Sequence, residues 1–232
     1  MTASPSAGAS LDHLVVAAAS LDQGVAWCEA TLGITPGPGG RHALMGTHNR
    51  LFRIATAAFP NAYFEIIATD PEAPPSGRAR WFGLDDPALQ AAIAVTPRLV
   101  HAVARTAAIE RHRSDLLAAG SDPGATVDAG RDTPQGRLSW QILVRDDGGL
   151  DCSGALPTLI QWQGRHPAEQ MAESGVALKS LVLNGVPASV KDVLRLRSVE
   201  VLPGAGPALV ATLTTPRGEV VLTGGLPTGA IE

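Results

Sequence analysis

The sequence predicts an α+β fold of two β-α-β-β-β units followed by a shorter C-terminal β-α-β extension. Three observations carry that prediction. A strand-then-helix pattern opens near residue 11 and returns near residue 98. Each opening strand holds a histidine at a matching distance from a helix-ending glycine, with His13 twenty residues before Gly33 and His101 nineteen before Gly120. Between the two units lies "DPEAPPSGRARWFGLDDP" (70–87), a proline-rich stretch that suits a linker better than a packed element. The two histidines stand 88 residues apart, so the recurrence reads as a duplication and not as a solenoid repeat. The expected organisation is a first unit over 11–70, a linker with a short helix over 71–97, a second unit over 98–167 and the extension over 177–225.

Each element has a local reason. "LDHLVVAAA" (11–19) is a strand, with Val15 and Val16 supplying β-branched weight. Ser20 and Gln23 form a Ser-x-x-Gln capping box that starts a helix. Leu21, Val25, Cys28 and Leu32 share one face of that helix, and Gly33 ends it. "ITPGPGG" (34–40) is loop, because its prolines and glycines hold neither ladder. A short strand near Arg41 to Leu44 precedes "HNRLFRI" (48–54) and "AYFEIIA" (62–68), which a turn around Pro60 and Asn61 joins. Asp86 and Pro87 open a short helix through Val95, proline being well suited to a first helical position. The second unit gives a strand at 98–104, a helix over 105–120, and later strands at 136–146 and 156–163. In the extension, "LKSLVLNG", a helix over 187–196, "VEVL" and a hairpin turning at Pro216 to Gly218 read as a structural enlargement of the sheet.

Composition narrows the function. The 232 residues are 45% hydrophobic and 17% charged, enough to bury a core without disulfides or a structural metal. A formal charge of −4 and no basic patch argue against a nucleic-acid partner. Cys28 and Cys152 stand in no metal or redox spacing. "MTASPSAGAS" has no apolar signal-peptide core, and no uncharged apolar run approaches the ~20 residues of a membrane span. The expectation is a cytoplasmic protein with no membrane partner.

The candidate chemistry lies in the first and last strands of each unit. A divalent metal needs three or four nitrogen or oxygen donors brought together. Those strands offer His13 and Glu65 in the first unit, and His101 and Gln161 in the second. Glu65 is the most informative, because "YFEII" is too apolar for a solvated carboxylate and a buried one is costly unless paired. The alternative is a Glu65 that faces water while Phe64 and Ile66 face the core. His13 and His101 each also suit a hydrogen-bonded structural role, Gln161 suits core hydrogen bonding, and His112 reads as part of a solvated helix face. No G-x-S-x-G elbow and no phosphate loop is present.

Taken together, "LDHLVV" (11–16), "GGRHALMGTHNRLFRI" (39–54), "YFEIIATDP" (63–71), "RWFGLDDP" (80–87), "RDTPQGRLSWQI" (131–142) and "LPTLIQWQGRHP" (156–167) resemble the glyoxalase-like branch of the vicinal oxygen chelate superfamily. The resemblance implies paired modules whose mixed sheet curls around a cleft. It maps the superfamily's metal ligands onto His13, Glu65, His101 and Gln161, with glutamine standing where a carboxylate is more usual. It implies a Lewis-acid metal (zinc, nickel, manganese or iron) that stabilises an enolate on a substrate with neighbouring oxygens, with Glu65 as the catalytic residue. His48, Asn49 and Trp140 are the expected substrate contacts; the rival role for His48 and Asn49 is a network that fixes a turn.

Three functions follow. The first is a lyase or isomerase using one divalent metal. The second is a metal-free protein that sequesters an apolar or aromatic compound between Trp140 and Trp162. The third is a ring-cleaving dioxygenase holding iron through His13, His101 and Glu65. The expected partner is a small-molecule substrate or ligand, with homodimerisation left open.

Overall fold

The structure, a computed structural model, describes residues 8–134, 136–204 and 206–226. The first unit runs β1 (Ser10–Ala17), α1 (Leu21–Leu32), β2 (Arg41–His42), β3 (Thr47–Arg53) and β4 (Tyr63–Thr69). A connection carrying α2 (Pro87–Val95) leads to β5 (Arg98–Arg105), α3 (Ile109–Ala118), β6 (Ala125–Thr133), β7 (Gly136–Val144) and β8 (Thr158–Gln163). Then come β9 (Ala177–Asn184), α4 (Ala188–Leu194), β10 (Glu200–Leu202), β11 (Leu209–Thr215) and β12 (Gly218–Gly224). This is the α+β architecture the sequence predicts. Among the described residues no helix is long and apolar enough to cross a membrane.

Strands β1 to β8 form one mixed sheet in the order β2-β3-β4-β1-β5-β8-β7-β6. The order has the same logic from either edge, because β1 is parallel to β4, β5 is parallel to β8, and β1 and β5 meet antiparallel at the centre. The sheet curls until its edges approach: Arg131 on β6 donates through Nη1 to Asn49 Oδ1 on β3, 3.3 Å away. The inner side of that curl is the cleft.

Alternation assigns the faces. Phe64 and Ile66 join Leu14 and Val16 in a core under α1, whereas Tyr63, Glu65 and Ile67 turn inward. Helix α1 begins where Ser20 Oγ accepts from Gln23 N–H, and Gln23 Oε1 accepts in return from Ala19 N–H. It ends at Gly33, in the left-handed region at φ 77°. Gly24 is small for a reason of contact: a Cβ there would stand 2.4 Å from Ile66 Cγ2, so α1 lies directly on β4 beside Glu65.

Four expectations need correction. The C-terminal strands do not enlarge the main sheet; they form their own, ordered β10-β9-β11-β12. Its Leu181, Leu183, Leu209 and Leu213 pack into the outer core with Leu14 and Val16. Strand β6 went unforeseen because "ATVDAGRDT" is a mostly solvated edge strand with little apolar alternation. His112 is no solvated residue: it is fully buried, with Nδ1 3.0 Å from Thr106 Oγ1. The linker also carries more than expected, since a 3-10 turn at Trp81–Gly83 buries Trp81 and Phe82 against the inner face.

Candidate active site

The site is built outward from β1. The pairing of β1 with β5 slips between Leu11 and His13, leaving Asp12 as the extra residue of a bulge. A bulge re-aims side chains, and here neighbouring Asp12 and His13 meet, with Nδ1 of His13 2.7 Å from Asp12 Oδ1. The other Asp12 oxygen, Oδ2, accepts from Trp162 Nε1 and His166 Nε2, both at 2.9 Å. His166 Nδ1 accepts from Ala168 N–H, so its proton sits on Nε2 and faces Asp12.

On its other side His13 Nε2 lies 3.4 Å from Glu65 Oε2, and its ring stacks on Tyr63 with centroids 4.5 Å apart. The register explains both contacts: His13 stands opposite Tyr63 on β4, and Glu65 follows two residues later on the same face. Asn49 on β3 donates through Nδ2 to Glu65 Oε1 at 2.5 Å and accepts through Oδ1 from Gly40 N–H at 2.8 Å. His42 lies against Asn49 and sets its ring edge-on to Trp81 and Trp140, at 5.0 and 6.2 Å.

These groups are buried, and burial opposes every charge among them. For His13, burial lowers the pKa, but Asp12 and Glu65 on either side raise it to about 9. For Glu65, burial raises the pKa, while the bond and charge of His13, then His42 and Asn49, bring it down to about 2. Asp12 is held below the usual carboxylate range by His13 and His166 despite its complete burial. His42 has no carboxylate bonded to it, so burial prevails and lowers it to about 4. Near neutral pH the cleft therefore holds a protonated His13 between two carboxylates, with a neutral His42 in the wall.

The cavity beside this pair is small, about 30 Å³, and is lined by Trp81, Phe82, Trp140, Trp162, Ile160 and Arg131 together with the polar groups already named. A groove of about 530 Å³ adjoins it, and Leu51 and Arg131 line both spaces.

The structure brings together five of the residues singled out from sequence: His13, Glu65, Asn49, Trp140 and Trp162. It does not bring the other three to the pair. His101 uses both ring nitrogens elsewhere, Nδ1 donating to Gly154 O at 2.8 Å and Nε2 accepting from Thr158 N–H at 3.0 Å. Gln161 alternates with cavity-lining Ile160 and Trp162, so it faces α3, where its Oε1 accepts from Ile109 N–H. His48 points to the opposite side of β3 from Asn49, with Nδ1 4.0 Å from Asp70 Oδ1.

A resident divalent metal is therefore a poor fit. His13 has a carboxylate at each nitrogen, and the second unit presents indoles, aliphatic side chains and a guanidinium to the cavity. Among the described residues no three His, Cys, Asp or Glu side chains form a group able to hold a metal ion. Sequence reasoning passed over Asp12, His42, Tyr63, Arg131 and His166. The only early signal for them was their place in quoted segments, since a bulge and a curled sheet leave no periodic trace.

A model of the glyoxalase-like domain matches residues 11–194. The chain belongs to the glyoxalase-like domain family. That family lies within the vicinal oxygen chelate superfamily. None of the curated proteins compared matches the sequence. Among solved structures, a hypothetical protein from Staphylococcus aureus is similar over 94% of this chain and 86% of its own, at 17% identity and a TM-score of 0.58. A methylmalonyl-CoA epimerase from Mycobacterium tuberculosis is similar over 70% of this chain and 91% of its own, at 15% identity and a TM-score of 0.38. A Streptomyces coelicolor methylmalonyl-CoA epimerase in complex with 2-nitronate-propionyl-CoA is similar over 66% and 92%, at 17% identity and a TM-score of 0.39. The Staphylococcus aureus protein shows a shared fold and nothing of activity; the two epimerase overlaps are looser still.

Proposed function

We propose that this glyoxalase-like protein is a small-molecule enzyme of the lyase or isomerase kind that moves a proton through Glu65 and His13 without a resident metal. The observation that carries the reading is the opposed ionisation of two touching groups beside a small, ring-lined cavity. Environments that push two titratable groups apart assign an acid and a base. The Glu65 carboxylate would take a proton from a carbon next to a carbonyl; the C–H electron pair would become a C=C bond as the carbonyl π pair moves onto oxygen. That oxygen would receive the proton of His13, giving the neutral enol. Return of a proton to the opposite face of the same carbon completes an epimerisation, and its return to a neighbouring carbon an isomerisation; loss of a leaving group from the β-carbon completes an elimination.

The remaining residues have supporting parts. Asp12 fixes the His13 ring and keeps it protonated, while Asn49 fixes the Glu65 carboxylate. The Trp81 indole nitrogen is buried without a partner among the described residues, a donor left for a substrate oxygen. A cavity of about 30 Å³ accepts only the reacting end of a substrate, so the remainder would occupy the adjoining groove.

Hydrogen exchange tests this reading. The protein is incubated in D2O with a panel of 2-oxo and 2-hydroxy acids and esters, and loss of C–H signal is followed by NMR. Wild type should exchange the carbon-bound proton of at least one compound, and Glu65→Gln should slow that exchange by roughly 10²- to 10⁴-fold. Exchange unaffected by Glu65→Gln removes Glu65 from the reaction. Stoichiometric zinc, nickel, manganese or iron that disappears in Glu65→Gln would favour the metal-dependent reading instead.

One observation favours a second reading, a binding protein for an aromatic compound. Trp140 and Trp162 lie 5.2 Å apart, and His42 and Trp81 continue the same wall of rings. Tight binding of an aromatic ligand with no exchange in any substrate would decide for it.

A further inference from the structure

The groove beside the cavity has a polarity that the acid–base pair does not explain. Its floor is apolar, with Pro38, Leu51, Phe52, Leu138 and Met171. Its one cation at the junction with the cavity is Arg131. Several other arginines are held by carboxylates: Arg53 pairs with Glu173, Arg80 with Asp85, Arg145 with Asp147. Arg131 has no carboxylate within ion-pair distance among the described residues; its one hydrogen bond is the 3.3 Å contact with Asn49 Oδ1.

The guanidinium is nevertheless held in place. Gly40 leaves room for it, since a Cβ there would lie 2.4 Å from Arg131 Nη1. At Gly39 a Cβ would lie 2.3 Å from Asn49 Oδ1, the atom that receives Arg131. Neither glycine has a positive φ, so close approach and not backbone conformation requires them. The same Asn49 holds Glu65. Arg131 is thus positioned by the residue that positions the carboxylate, with fork-like N–H groups left to bind.

We propose that Arg131 anchors the carboxylate of a monocarboxylic acid substrate whose apolar body lies along the groove. The inference rests on the small-molecule reading of the same cleft. A planar guanidinium suits a carboxylate, which it can grip with two parallel hydrogen bonds. One cation matches one negative charge. A polyphosphate or a diacid is disfavoured, because the only other charged side chain among the described residues lining the groove is Glu173, already paired with Arg53. The anchor also sets orientation: a carboxylate on Arg131 leaves the adjacent carbon closest to Asn49 and Glu65.

The experiment uses four probes on one skeleton: 3-phenylpropionate, 3-phenylpropanol, 3-phenylpropylamine and 3-phenylpropyl phosphate. Binding is followed by calorimetry and by the fluorescence of the cleft tryptophans. Wild type should bind the carboxylate roughly ten- to a hundred-fold more tightly than the alcohol, as expected for a charge-assisted pair, and more tightly than the phosphate. Arg131→Gln should bring the carboxylate to the affinity of the alcohol while leaving the alcohol unchanged. Arg131→Lys should retain part of the preference, because it keeps the charge and loses the fork. Glu65→Gln should preserve the preference, so that binding through Arg131 with no proton exchange would sink the acid–base reading and leave the anchor intact. Equal affinity for acid and alcohol in wild type, failure of both to bind, a preference for phosphate, or a preference that survives Arg131→Gln would overturn the proposal.

Discussion

At the scale of single residues, the buried charges make stability depend on pH in a direction that can be worked out. His13 rises from 6.5 to about 9 on folding, so its contribution is complete below pH 6.5 and is lost as pH climbs through 9. Glu65 falls from 4.5 to about 2, so its contribution is complete above pH 4.5 and is lost below that. His42 and His101 both fall from 6.5 to about 4, and the unfolded chain gains protons there that the folded one refuses. Stability should therefore rise with pH to a maximum at about 6.5–7 and decline toward pH 9, by ~2 kcal/mol from the His13 contribution. Urea midpoints measured from pH 4 to pH 10 check this; a flat profile between pH 7 and 9 would show that His13 is not held protonated. Legibility at this scale was uneven. Glu65 was recognisable because a carboxylate in "YFEII" must be satisfied by something. Asp12 was not, because only the bulge turns it toward His13, and a bulge is a property of strand pairing.

At the scale of elements, caps and prolines were readable and the facing of side chains was not. Ser20 and Asp86 both cap the helices they were expected to start, Asp86 Oδ1 accepting from Ala88 and Leu89 N–H. Its strand makes Gln161 a candidate ligand, yet one position of parity sends it to α3 and leaves the cleft to Trp162. Ala108 offers α3 no capping side chain, so Gln161 serves in its place. Gln161→Ala should cost about 1 kcal/mol of stability and leave the affinity for cleft ligands unchanged. Altered ligand affinity with unaltered stability would return Gln161 to the site. Gly24→Ala tests the seating of α1 on β4: crowding against Ile66 should cost about 1–3 kcal/mol, measurable as a lower melting temperature.

At the scale of the whole molecule, the second sheet is joined to the first by one continuous core, from Leu14 and Val16 through Val190 and Leu194 to Leu181 and Leu209. Shared burial of that extent couples the parts. Denaturation followed by tryptophan fluorescence, which reports mainly on the cleft, should coincide with denaturation followed by circular dichroism, which reports on all the strands. Separate transitions would mean that the C-terminal sheet folds and unfolds independently. That this sheet would stand apart was not legible, because its strands have ordinary alternation and nothing in a pattern says which neighbour a strand will choose.

The doubled strand order has a further consequence, for heredity. The half built on β1, β3 and β4 holds Asp12, His13, Asn49 and Glu65, while the half built on β6, β7 and β8 supplies Trp140, Ile160, Trp162 and Arg131. The charged pair and its supports thus lie on the earlier stretch of the gene, while the walls of the cleft draw on both, since Pro38, Leu51 and Phe52 line the groove beside Leu138 and Arg131. Substitutions confined to the later stretch would alter Trp140, Ile160, Trp162 and Arg131 while leaving Asp12, His13, Asn49 and Glu65 as they are.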